Sequence, residues 1–193
     1  MLKMGIYGII RMTSLLPVTE SWWGGTVLLV GALSGIAGIA YAIAQHDIKK
    51  ILAYSSIENI GIICLGIGLG LLGRSYHRTD WIMLGFGGAM IHVLNHSFFK
   101  SILFFNAGSI IHATHTRQID KMGGLSKIMP VSMVLFIIGS VAISALPPLN
   151  GFISEWLIYL GLFRTIFNES GNSFSVAALG TVALAMIGPL AIA

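Results

Sequence analysis

His92, His96 and Lys100 recur every fourth position within a stretch that is otherwise almost free of charge. Each step of four turns an α-helix by about 400°, so the three lie along one face, drifting by about 80° in all and covering roughly 12 Å of the axis. Asn95 lies beside them. Histidine exchanges protons near neutral pH, and lysine and carboxylate side chains move toward that range when removed from water. With water between them, three such groups on one face would relay protons. The plainer alternative is that the histidines bond neighbouring helices and that Lys100 extends its ammonium to a membrane surface.

Other residues could join that chemistry. Glu155 follows Pro147, Pro148 and Gly151 by a few positions. Adjacent prolines remove two backbone donors and cannot sit inside a regular helix, so a helix must break there and restart. Such breaks at membrane depth free backbone groups that protein or water must satisfy, and transporters place ion sites at them. Alternatively, the break lies at the surface and Glu155 caps the next helix near its N-terminus. Glu58, with Asn59 beside it, is a further relay member or a partner for a basic residue on another helix. Lys3 lies in the first helix. His46 and Asp47 read as loop residues, and His112 and His115 as interfacial ones. No metal site is expected: H-E-x-x-H needs Glu where Val93 stands, and Cys64 is the only cysteine. A haem held by His92 and His96 is a third possibility, but axial ligands normally come from facing helices, and no second span offers a mid-membrane histidine.

The elements that must position these residues follow from composition. Of 193 residues, 55% are hydrophobic and only 9% charged, against about 25% charged in a soluble domain. The chain therefore reads as all-α, a polytopic transmembrane helix bundle. A crossing needs about 20 apolar residues. On that measure there are about six spans, near residues 1–16, 22–44, 51–72, 81–111, 129–167 (broken near 147–151) and 174–193, in a single membrane domain. From Trp81 to Thr116 the only Lys, Arg, Asp or Glu is Lys100. That stretch is roughly 54 Å if helical, too long for one simple crossing and too short for two, so it reads as one long helix. Lys49, Lys50, Arg74, Arg78, Arg117, Lys121 and Lys127 stand between apolar stretches, as span anchors do, and form no nucleic-acid stripe. The loops after the second and fourth spans carry five Lys/Arg against four on the other side, too even a split to orient the chain alone.

Gly31 and Gly35 have the spacing that lets helices approach closely. Gly68, Gly70 and Gly73 match G-x-G-x-x-G, but they close an apolar span with no strand before them, which excludes a dinucleotide site. No secretory signal peptide is visible. The first helix starts without a cap and the last has no charged residue at its far end, so both ends are expected to be cuts in a longer chain.

Five segments together resemble the antiporter-like, proton-conducting membrane subunits shared by complex I, multisubunit sodium/proton antiporters and membrane-bound hydrogenases. They are Met1–Arg11, with Lys3 at the family's eighth-helix lysine; Gln45–Ser56, like the connection between its ninth and tenth helices; His92–Lys100, its H-x3-H-x3-K pattern; Lys121–Leu125; and Leu146–Phe152. The wording of Ser56–Ile62 and of Leu149, Asn150 and Gly151 is nearest to the hydrogenase-4 and formate-hydrogenlyase branch.

The resemblance implies fourteen helices in two inverted five-helix repeats, with this chain holding the eighth helix and the second repeat. It implies a central hydrophilic axis to which Lys3, His92, His96, Lys100 and Glu155 belong. Glu155 takes a position where some members carry lysine, and other branches use glutamate. The loops after the second and fourth spans would face the cytoplasm. Redox chemistry would lie in other subunits, so no cofactor is expected in this chain. The expected partners are other membrane subunits, a peripheral hydrogenase or dehydrogenase arm and the lipid bilayer, with no nucleic acid, in a prokaryotic inner membrane. The function implied is proton translocation within a redox-driven complex; the alternative is a sodium/proton antiporter subunit without a redox partner. Whether the chain counts as part of an enzyme depends on that choice.

Overall fold

The computed structural model describes residues 2–16 and 20–166, and beyond these 178, 180–182 and 185. Among the described residues seven α-helices are formed: α1 Leu2–Leu15, α2 Ser21–Ile43, α3 Ile48–Ser75, α4 Thr79–Thr114, α5 Leu125–Ile128, α6 Pro130–Ile143 and α7 Asn150–Ile166, with a 3-10 turn at Ile119–Lys121. Most of the span expected at 174–193 lies outside the described residues. Among the described residues α2, α3 and α4 are each long and apolar enough to cross a membrane. The stretch read as one long helix is one, 36 residues without interruption.

The helix α3 is the centre of the bundle. All residues from Gly61 to Gly73 are buried, because α2 and α4 pack along it with glycines at the contacts. A Cβ on Gly31 would stand 2.8 Å from the Gly61 carbonyl oxygen, and one on Gly61 would stand 2.6 Å from Gly35 N. The G-x-G-x-x-G run serves the same purpose: a Cβ on Gly68 would meet Leu28 N at 2.7 Å, and one on Gly73 would meet Ile82 N at 2.7 Å. These glycines are spacers that admit neighbouring backbones. Leu28, Ile62, Leu65, Leu69, Trp81, Ile158 and Leu162 fill the centre between α2, α3, α4 and α7.

The loop between Arg117 and Lys127 holds the 3-10 turn and part of α5. It folds back on the α2–α3 loop. Ile48 N donates to Arg117 O at 3.1 Å and Ile119 N to His46 O at 2.9 Å, while His46 pairs with Asp120 at 2.8 Å. Both basic loops therefore lie at one end of the bundle. Asp47 caps α3 there, accepting from Lys49 N and Lys50 N, which ties up helix donors that would otherwise go unpaired. At the opposite end Arg74 Nη1 donates to Thr13 O at 2.9 Å, joining α1 to the end of α3.

The expected break is present. The helix α6 stops at Ile143 and α7 starts at Asn150, with a cis peptide between Pro147 and Pro148 and Ala145 at φ +50°. Gly151 is where α7 touches the end of α6. A Cβ there would lie 2.0 Å from the Ala142 carbonyl oxygen, so no larger residue fits without moving one half away from the other.

Candidate functional site

The ionisable residues singled out above lie inside the bundle. Glu58 is 2% exposed, His92 0%, His96 3%, Lys100 5% and Glu155 7%. They come from three helices: Glu58 from α3, the two histidines and Lys100 from α4, and Glu155 from α7. Lys3, partly buried on α1, reaches α4 through a short hydrogen bond from its ammonium to Ser97 Oγ.

The three residues spaced by four on α4 do not bond one another. Each looks outward to a different neighbour. His92 is held on both sides, with Nδ1 2.9 Å from Ser154 Oγ on α7 and Nε2 3.1 Å from Asn59 Oδ1 on α3. Lys100 Nζ donates to Leu52 O at 2.9 Å and to Ser55 Oγ at 2.6 Å, both on α3. His96 packs edge-on against Phe99, ring centroids 5.5 Å apart, and neither of its nitrogens has a hydrogen-bond partner among the described residues. A buried polar group without any partner, protein or water, costs about 1–3 kcal/mol.

Glu58 is buried on α3, three residues after Ser55, which bonds Lys100. It also lines a cavity of about 330 Å³ between α2, α3, α4 and α6, whose wall includes Ser55, Ser140 and Ser144. The α2 backbone comes up against the Glu58 turn because Gly38 faces it: a Cβ there would meet Glu58 N at 2.5 Å. Glu155 is the sixth residue of α7, past the first turn. It is therefore not the cap at the helix N-terminus that the alternative reading allowed. Pro147 and Pro148 remain exposed while Gly151 is buried, and Asn150 beside it bonds Asn95 on α4.

Several residues of this network carried no role in the sequence reading: Ser55, Ser97, Asn150 and Ser154. Asn59 and Asn95 were noted only as neighbours. Asn95 Nδ2 donates to Asn150 O at 2.8 Å and to Ser154 Oγ at 3.2 Å, so an amide–hydroxyl cluster stitches α4 to the start of α7. A signal for these residues did exist. Ser55 and Asn59, like Asn150 and Ser154, are polar pairs four apart in apolar surroundings, the spacing that puts both on one helix face.

The chain is similar to known membrane proteins along nearly all its length. Residues 1–184 match the family model described as NADH:quinone oxidoreductase/Mrp antiporter, TM. Hydrogenase-4 component B of Escherichia coli is 44% identical over 99% of this chain and 27% of its own length. Formate hydrogenlyase subunit 3 of the same organism is 42% identical over 99% of this chain and 31% of its own. Na(+)/H(+) antiporter subunit A1 of Staphylococcus epidermidis is 38% identical over 80% of this chain and 20% of its own. The chain thus spans under a third of the length of these relatives. A chain of the membrane-bound sulfane sulfur reductase, an archaeal respiratory membrane complex, shares the fold with a TM-score of 0.66 at 24% identity, covering 89% of this chain and 32% of that one.

Proposed function

We propose, from the premise that this chain belongs to the NADH:quinone oxidoreductase/Mrp antiporter transmembrane family, that it carries part of a proton path through an integral membrane subunit of a redox-driven complex. The observation that carries the reading is the placement of Glu58, His92, His96, Lys100 and Glu155 in the interior. A charge at mid-bilayer costs at least about 2.5–3.5 kcal/mol on insertion scales. Five ionisable side chains buried on three packed helices do not serve packing alone. Lys3 brings α1 to the same polar line through Ser97.

In this reading protons pass among Lys3, His92, His96, Lys100, Glu58 and Glu155, with His92 held between α3 and α7. The chain supplies no redox chemistry and no cofactor; the energy comes from other subunits, membrane neighbours and a peripheral hydrogenase or dehydrogenase arm. The six spans near 1–16, 22–44, 51–72, 81–111, 129–167 and 174–193 belong to the same reading, with α6 and α7 as two halves of one crossing.

The test is proton translocation by the full-length protein in its assembled complex. Lys100→Ala and Glu155→Gln should each abolish coupled translocation while the complex still assembles. Unchanged translocation in both would sink the proposal. A second reading, a sodium/proton antiporter subunit without redox partner, is favoured by the likeness to antiporter subunit A1. Sodium-dependent proton movement in vesicles lacking any redox subunit would select it.

A further inference from the structure

The hydrogen bonds around His92 determine which of its nitrogens carries the proton. Asn59 Nδ2 lies 2.8 Å from Ser55 O, an atom that can only accept. That orients the amide with Oδ1 towards His92, 3.1 Å from Nε2, and Oδ1 too can only accept. The hydrogen between them therefore belongs to Nε2, an assignment made from the network. On the opposite side of the ring Nδ1 faces Ser154 Oγ at 2.9 Å. Ser154 Oγ accepts from Asn95 Nδ2 at 3.2 Å. Asn95 is itself oriented, donating to Asn150 O at 2.8 Å and accepting from Asn150 Nδ2 at 3.2 Å. The one hydroxyl hydrogen of Ser154 has a second acceptor in reach, Gly151 O at 2.9 Å.

We propose that Asn59 is a positioning residue that fixes His92 as its Nε2–H tautomer, and that Ser154 partners Nδ1, on the α7 side, the one ring atom that gains or loses a proton. The proposal rests on the reading of His92 as a proton-bearing group. Asn59 is a dead end, because an amide oxygen has no proton to hand on. In the neutral ring Nδ1 accepts the Ser154 hydrogen. When Nδ1 gains a proton it becomes a donor, Ser154 Oγ must accept from it, and the hydroxyl hydrogen turns to Gly151 O. In an α-helix that carbonyl is also the acceptor for the N–H four residues on, here that of Glu155. A change of charge on His92 is thereby felt in the turn that carries Glu155. The other ionisable groups around this part of the interior are His96 and Lys100 from α4, Glu58 from α3 and Glu155 from α7; none of them bonds the ring.

The experiment is 15N solid-state NMR of the full-length, histidine-labelled protein in lipid, with His92 assigned by the signal lost in His92→Gln. The neutral His92 ring should carry its hydrogen on Nε2. Asn59→Asp, which keeps an acceptor, should preserve that form, and Asn59→Leu should let the Nδ1–H form appear. A wild-type ring protonated at Nδ1, or a ring unchanged in Asn59→Leu, overturns the proposal. Should Asn59→Leu fail to fold, the wild-type spectrum still decides the tautomer; Ser154→Thr should keep translocation and Ser154→Ala lower it by about 100-fold or more, with Nε2–H retained in both. Equal translocation in the Thr and Ala variants overturns the role of Ser154. Unimpaired translocation in His92→Gln would instead remove the proton-bearing reading of His92, a result separate from the tautomer spectra.

Discussion

Lys100 holds two of its three ammonium hydrogens against α3, on Leu52 O and Ser55 Oγ. An ammonium can release a proton and leave a neutral amine behind, whereas a guanidinium stays charged in proteins. Lys100→Arg should therefore keep a cation in place and still fail to support proton translocation, falling close to Lys100→Ala in the same vesicle assay. Ser55→Ala removes one acceptor and leaves the Leu52 carbonyl, so translocation should drop by less than in either Lys100 variant. These residues were legible one by one, because a charged or imidazole side chain in an apolar run is visible without a structure. What each one bonds was not. Spacing by four placed His92, His96 and Lys100 on one face, where water between them would make a relay, but it did not say that His92 bonds Asn59 and Ser154, that His96 packs on Phe99 or that Lys100 bonds Leu52 and Ser55.

Helix packing sets where those side chains arrive. The α2 backbone can lie against the Glu58 turn only while position 38 has no side chain, since a Cβ there would meet Glu58 N at 2.5 Å and Tyr54 O at 3.0 Å. Gly38→Leu should cost about 1–3 kcal/mol of stability through overpacking, measured as earlier loss of the folded protein in a thermal series in detergent. Translocation should fall with it, because Glu58 moves. The Gly31 and Gly35 pair announced this interface from its spacing. The G-x-G-x-x-G run gave no such hint of its task, because a motif of glycines states only that side chains are missing, and the neighbour that needs the space is known only from the packing. The broken helix was legible for a stronger reason: two adjacent prolines forbid regular helix whatever surrounds them. That Glu155 stands past the first turn and faces inward, instead of capping α7, was a matter of how α7 docks.

At the scale of the molecule, two basic loops come together at one end and the end of α3 lies at the other. The 28 residues of α3 separate these ends by roughly 42 Å. In a full-length protein cleared of its other cysteines, Lys49→Cys and Lys121→Cys should react with a membrane-impermeant maleimide from the same side, expected to be the cytoplasm, and His77→Cys from the opposite side. Cys64 is buried and should stay unlabelled. Labelling of positions 49 and 121 from opposite sides would contradict the fold described here. The charge counts of the loops did not decide this orientation, being nearly even, but the backbone pairing of the two loops makes their common side a firm expectation.

Composition alone determined that this chain is a helical membrane protein, since a chain so poor in charge cannot satisfy its surface in water. Local rules determined the Pro147–Pro148 break and the long uninterrupted helix through Lys100, because backbone chemistry and residue type act without regard to distant neighbours. The ordered matches to known segments determined the family. Only the tertiary structure decided which buried polar groups are wired together, because hydrogen bonds between α3, α4 and α7 join residues as far apart as Asn59, His92 and Ser154, and no periodicity within one helix records the rotation of the next.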